Sequence, residues 1–286
     1  MNKLTTQTRS QILQMLCEGV SIRAIVRMIG ASKNTVAKLL VTAGTVFAEY
    51  QDRAFRDLPC TKIQVDEIWS FVGCKQKNVR EGMESESGDF WTWVSFCATT
   101  KLMPSWYIGN RDAECASVFM KDLAGRLANR VQLTSDGLKS YLQAVEDAFG
   151  NDIDYAQLVK IYGENAEGAD KKYSSGECCG TKKTKVTGNP KRSDISTSFV
   201  ERQNLNLRMH MRRFTRLTNA FSKKVENHAH AFALNAMYYN FVRIHQTLRV
   251  TPAMEAGITN KLWNMNDLAA MIEEWEAAQH KAKWGR

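Results

Sequence analysis

Apolar residues between Thr5 and about Leu40 recur at helical spacing in three short blocks: Ile12, Leu13 and Leu16; Ile22, Ile25, Val26 and Ile29; Val36, Leu39 and Leu40. Gly19-Val20-Ser21 and Gly30-Ala31-Ser32 separate the blocks. In each break a glycine can end one helix and a serine can cap the next, so the pattern predicts a helix-turn-helix with helices of about nine residues. The exposed residues at the start of the third helix, Lys33, Asn34, Thr35 and Lys38, would then face the major groove. The plainer alternative is a three-helix packing unit without a ligand.

After a polar linker with a helical portion, Val41 to Pro59, the pattern changes to branched and aromatic residues. Ile63 to Val72, Phe90 to Cys97 and Ser105 to Gly109 read as three successive strands, an antiparallel meander. Helical spacing then returns through Val118, Phe119, Leu123 and Leu127, followed by a short strand, Val131 to Ser135, ending in Asp136-Gly137. A second helix carries Leu138, Tyr141, Leu142, Val145 and Phe149, and Tyr155 to Tyr162 gives a fifth strand. Three strands, then helix, strand, helix, strand and a further helix is the element order of an RNase H-like (retroviral-integrase-like) α+β / α/β fold. The expected organisation is a small all-α helix-turn-helix domain over 1–50, a linker over 51–60, a catalytic domain over 61–250 and a C-terminal amphipathic helix over 251–286. A long Gly, Ser and Lys-rich insertion spans 163–195 within the catalytic domain.

The run from Ser198 to about Phe214 is helical, with Val200, Leu207, Met211 and Phe214 as its buried stripe and Glu201, Leu205, Arg208 and Arg212 beside it. Between Glu201 and Arg249 there are nine Lys or Arg and two acids. The whole chain of 286 residues carries a net charge of +9, which favours a polyanionic partner. No signal segment opens the sequence and no apolar run has the length of a membrane span, so the expectation is a cytoplasmic protein without a membrane partner. Seven scattered cysteines show no zinc spacing, and His228 and His230, two apart on a helix, cannot share a ligand.

Three carboxylates stand out against this background. Asp66 lies inside an apolar strand, where an uncompensated charge would be costly, and strand alternation alone leaves open whether Asp66 or Glu67 faces a site. Asp136 ends a strand and either caps the next helix or joins a site. Glu201 fits a capping box counted from Ser198, or else lies deeper in the first turns and points at the strands. In an RNase H-like fold the first and fourth strands are neighbours, so the three would converge. Hard oxygen donors gathered in this way suit two Mg²⁺ about 4 Å apart, which activate the attacking oxygen and stabilise the leaving one.

Gln64-Val65-Asp66-Glu67-Ile68-Trp69-Ser70-Phe71, Trp91-Thr92-Trp93, Gly109 to Glu114, Asp136-Gly137, Ser196 to Asn204, Arg212 to Lys224 and Tyr239 to His245 together resemble DDE transposases of the "insertion sequence one" family. The resemblance runs from about Leu58 to Trp263. It implies Asp66 rather than Glu67, and the triad Asp66, Asp136 and Glu201 as catalytic and metal-binding residues for two Mg²⁺, with Mn²⁺ able to substitute. It also implies that Arg208 holds DNA near the metal, beside Arg212 and Arg213. The implied function is Mg-dependent cleavage and strand transfer at the ends of an insertion sequence, on double-stranded DNA and by a homo-oligomer. The alternatives are a DNA-binding regulator derived from a transposase and an RNase H-like nuclease that cuts without joining. One departure from the family pattern is that no cysteine zinc finger precedes the helices.

Overall fold

The computed structural model describes residues 4–83, 87–163 and 178–284. Its centre is a six-stranded mixed sheet with helices on both faces. The strands are β1 (Lys62–Val72), β2 (Gly88–Cys97), β3 (Trp106–Gly109), β4 (Gln132–Ser135), β5 (Asp154–Tyr162) and β6 (Cys178–Thr187), arranged β3-β2-β1-β4-β5-β6. β1 to β3 form the antiparallel meander that the apolar pattern predicts. β4 pairs parallel to β1 and β5 parallel to β4, each reached through a helical crossover as parallel pairing requires.

The crossover helices α4 (Ala113–Ala124) and α5 (Ser140–Phe149) cover one face. Trp93 of β2 is fully buried there, 6.0 Å from Phe119 and 5.5 Å from Tyr141 between ring centroids. Against the other face lie α6 (Ser198–His210) and α7 (Val225–Met237). Phe232 of α7 meets Trp106 at 5.0 Å, and the buried His228 is held between the Ser70 and Ser222 hydroxyls. The buried stripe predicted from Ser198 onward is intact: Val200, Leu207, Met211 and Phe214 are all buried. The helix itself stops at His210, however, and residues Arg212–Phe214 form a separate 3₁₀ turn.

The N-terminal part consists of α1 (Thr6–Cys17), α2 (Ile22–Ile29) and α3 (Lys33–Ala54). Ser21 and Ser32 cap α2 and α3 through their hydroxyls, and Gly30 ends α2 at φ 77°, a left-handed conformation that glycine adopts without strain. The third helix has 22 residues, so it runs on through much of the stretch that reads as a linker. Its buried residues Val46, Phe47 and Gln51 explain the extension, because that part packs along α7. Gly44 permits the contact: a Cβ there would collide with His230. The C-terminal helix α9 (Met265–Trp284) packs onto α1, where Arg9 meets Glu276 at 2.9 Å and Thr6 donates to Glu273.

The stretch 163–195 differs from its reading as an irregular insertion. Its residues 178–187 are strand β6, paired antiparallel with β5. Thr and Lys make up most of that strand and none of it is buried, so no apolar alternation marks it in the sequence. Lys171 and Lys172 lie outside the described residues.

Candidate active site

The pairing of β1 with β4 runs only from Lys62↔Gln132 to Gln64↔Thr134. Asp66 and Asp136 each follow two residues later, at the point where the two strands part. Adjacent side chains on a strand point to opposite faces, but at this open seam both Asp66 and Glu67 reach Asp136. One carboxylate oxygen from each of Asp66, Glu67 and Asp136 lies within 4.8 Å of the others.

Asp66 accepts hydrogen bonds from the Glu67 amide and from Asn204 Nδ2 of α6, both at 2.9 Å. Burial pushes its carboxyl up to about 6; Asp136 and Glu201 add to the rise, and the two hydrogen bonds oppose it. Burial likewise pushes Glu67 up to about 7, with Asp136 adding and the Tyr141 phenol and Arg111 opposing. The Tyr141 phenol, raised well above its ordinary value by burial and then by Glu67, faces this carboxylate. Yet neither Glu67 Oε1 nor the Tyr141 hydroxyl makes a hydrogen bond of ordinary geometry. Asp136 accepts from the Leu138 amide at 2.9 Å, so it does make the turn that its sequence context suggests. Its second oxygen faces Arg111 at 3.6 Å. The Glu67 side chain is 1% exposed and that of Asp136 37%, so the group opens to solvent on the Asp136 side.

Glu201 stands next to this group and outside it. Its Oε2 meets Lys160 Nζ of β5 at 2.5 Å, and its Oε1 accepts from the Thr197 hydroxyl at 2.7 Å. The helix starts from Thr197, one residue before the capping-box count, so Glu201 does not close such a box. Its charge nevertheless contributes to the raised pKa of Asp66. The Ser196 hydroxyl accepts from Ser198 N at 3.2 Å, and the next two amides of α6 are satisfied from β1: Gln64 Oε1 accepts from Phe199 N at 2.8 Å and Val200 N at 3.1 Å. This buried glutamine replaces a local cap and fixes the start of α6 over the carboxylates. Gln64→Leu is therefore expected to cost about 1 to 3 kcal/mol, since two helix amides, that of Val200 buried and that of Phe199 part-buried, lose their acceptor. Urea denaturation would measure it, and a cost below about 0.5 kcal/mol would refute the docking role.

The predicted basic residues divide into distinct sets. Arg208 lies close enough to Asp66 to feel its charge, although burial lowers the guanidinium below its ordinary value, and it donates to the Phe214 carbonyl at 3.3 Å. Arg212 is exposed. Arg213 is half-buried and donates to the Ser222 hydroxyl, which itself bonds His228, so it braces the α7 packing. Lys33, Asn34 and Lys38 are exposed on the first turns of α3, and Thr35 is half-exposed against the Ser32 cap. No described contact links these four to the carboxylates.

Sequence reasoning missed the two cations that meet the acids. Arg111, after β3, places Nε 3.1 Å from Glu67 Oε2 and stacks its guanidinium on Trp91 at 4.9 Å; Lys160 holds Glu201. Arg111 falls within a string that carries the family resemblance, whereas nothing in the strand pattern around Lys160 pointed to Glu201.

A family model described as IS1 transposase matches residues 176–241. Over this stretch the chain matches the IS1 transposases. The matched residues contain Glu201, all of α6 and most of the basic run, and Asp66 and Asp136 lie upstream of them. A solved structure, the cryo-EM structure of a piggyBac transposase synaptic complex with hairpin DNA, is similar at 9% identity and a TM-score of 0.45. That similarity covers 93% of this chain and 69% of the other. No curated protein matches the chain. Among the described residues, no helix is long and apolar enough to cross a membrane.

Proposed function

We propose that this protein is a DDE-type DNA transposase, cutting phosphodiesters and joining strands at the ends of an insertion sequence. The observation that carries the reading is the convergence at the β1/β4 seam. Asp66 and Asp136 meet there, and Asn204, one turn after Glu201 in the stretch matched by the IS1 transposases, donates to Asp66. The β3-β2-β1-β4-β5 order, antiparallel for three strands and parallel for two, supports an RNase H-like assignment of the sheet.

The donor set fits hard divalent cations. Three carboxylates crowd together, two of them, Asp66 and Glu67, at raised pKa, and Glu67 Oε1 is buried without a hydrogen bond, which is costly unless a cation satisfies it. Asp66, Asp136 and Glu201 would hold two Mg²⁺ or Mn²⁺, with Glu67 as a further donor. When bound, the ions supply Lewis acidity to the attacking and leaving oxygens of an in-line displacement. Glu201 has to exchange Lys160 for this role, and Asn204 and the Glu67 amide keep the Asp66 carboxylate oriented. Arg208 and Arg212 hold phosphates beside the carboxylates, while Lys33, Asn34, Thr35 and Lys38 read the element ends in the major groove. Arg213 supports the basic turn through Ser222. Pairing two ends requires more than one copy of the chain.

The test combines purified protein, Mg²⁺, a labelled element end and a target plasmid. Joined product is expected from the wild type and is expected to fall at least a thousandfold in Asp136→Asn and Glu201→Gln, about 4 kcal/mol of barrier. Binding without cleavage would favour a regulator, and cleavage without joining a nuclease.

A further inference from the structure

We propose that the face of the β5–β6 hairpin carrying Lys160, Lys183 and Lys185 docks the phosphate backbone of duplex DNA. This rests on the transposase reading and extends it to a surface outside the carboxylate site. The strand register decides the face. Ala156 pairs with Lys185, Leu158 with Lys183 and Lys160 with Thr181, and directly opposed residues project to the same side. Gln157, Val159 and Ile161 share the other side with Lys182 and Thr184. Three of the four lysines thus lie on one face. Lysines on an edge strand also discourage strand-to-strand aggregation, but that role sets no preference between faces.

The chosen face is the one that meets α6. Ala156 and Leu158 pack with Ile195, and Lys160 reaches Glu201. β6 contributes no acid to balance its lysines. The neighbouring carboxylates are already engaged, Asp194 by Lys62 and Asp154 by Arg130. Lys183 donates to the Arg192 carbonyl at 3.2 Å and Lys185 to Asn189 Oδ1 at 3.0 Å, so both ammoniums are propped by neutral acceptors and not by a carboxylate. Residues two apart on a strand are spaced by about 6.8 Å, on the order of the separation between neighbouring phosphates along one DNA strand. A row at the levels of residues 181, 183 and 185 therefore keeps step with successive phosphates of one strand, and it ends at Lys160 and Glu201. A duplex laid on this row is led into the carboxylate seam.

The experiment measures binding of a fluorescent duplex of about 30 base pairs by the full chain, without divalent metal, across a salt series. Each phosphate contact contributes a slope of about 0.9 to log K against log salt. Lys183→Gln with Lys185→Gln is expected to make the slope shallower by about 1.8, and Lys182→Gln, on the opposite face, to leave it unchanged. The wild type should then lose about tenfold more affinity than the double variant between 50 and 200 mM salt. An unchanged slope in the double variant overturns the proposal while leaving the transposase reading intact. An equal loss in Lys182→Gln also overturns it, as unspecific charge. So does a change of mass by light scattering without DNA, which would make this face a contact between two copies. A wild type that binds no duplex would remove the underlying reading as well.

Discussion

Asp66→Asn is expected to abolish DNA joining and, in metal-free buffer at pH 8, to stabilise the fold by about 2 kcal/mol. The folded carboxyl titrates at about 6 against an ordinary 3.8, because burial and the neighbouring acids oppose its charge. A carboxyl raised by folding binds its proton more tightly in the native state than in the unfolded chain. Stability therefore falls as the pH climbs from about 4 through 6, and the cost persists above that window. Two pKa units correspond to about 3 kcal/mol, which partial exposure of the side chain reduces. An asparagine carries no such cost. It can still accept from the Glu67 amide, and rotation of the Asn204 amide would present Asn204 Oδ1, which now lacks a partner, to the new NH₂.

Chemical denaturation at about pH 4, 5 and 8 checks the sign: the advantage of the variant should be full at pH 8, about halved at pH 5 and nearly gone at pH 4. Added Mg²⁺ or Mn²⁺ should raise the melting temperature of the wild type, since binding only to the native state stabilises it, and should do little for Asp66→Asn. A variant less stable than the wild type at pH 8 would mean that the charge of Asp66 is compensated by the protein itself. Glu67→Gln should behave alike, with its window shifted upward toward 7. The two gains will not add, because the Asp66 carboxylate raises that of Glu67 and Asp136 raises both.

The candidate residues stand out in the sequence where local pattern and chemistry coincide. Asp66 stands out because a carboxylate interrupts an apolar strand, and Glu201 because it opens a helix after irregular chain. The serine caps and the left-handed Gly30 of the first three helices follow from the same local rules. What stayed hidden depends on contacts between distant parts of the chain. Gln64 caps a helix 135 residues away, and Lys160 meets Glu201 across 41; no periodicity encodes either. β6 was concealed for a different reason, since a strand wet on both faces has no alternation to read. The extension of α3 depends on such a distant contact too, since Gly44 lets the helix lie directly against His230 of α7. Glu67 shows the limit of the alternation rule: a residue assigned to the opposite face joins the same group because β1 has already parted from β4.

Replacing both counter-cations, by Arg111→Gln and Lys160→Met, is expected to tighten Mn²⁺ binding by about tenfold or more. In the metal-free protein Arg111 bridges Glu67 and Asp136, and Lys160 neutralises Glu201. Burial alone would lower the Lys160 ammonium, yet the hydrogen bond to Glu201 holds it above its ordinary value, so Lys160 stays charged at neutral pH. A divalent ion entering the seam must displace these contacts or tolerate nearby positive charge. Partly exposed ion pairs of this kind are worth up to about 1 kcal/mol each, so removing one should tighten binding by up to about fivefold. Losing the counter-charges also leaves the carboxylates repelling one another, which raises the free energy of the empty site and adds to the gain on binding. Titration calorimetry with Mn²⁺ at pH 7 reads the effect directly, for each single variant and for the pair. Unchanged or weaker binding in both single variants would show that Arg111 and Lys160 assist the metal instead of competing with it. The double variant should bind metal more tightly and yet join DNA poorly at saturating metal, because phosphate is the natural replacement partner for both cations once the carboxylates turn to the ions. That opposition of signs separates a handover of charge from a bracing role, which would weaken metal binding and joining together.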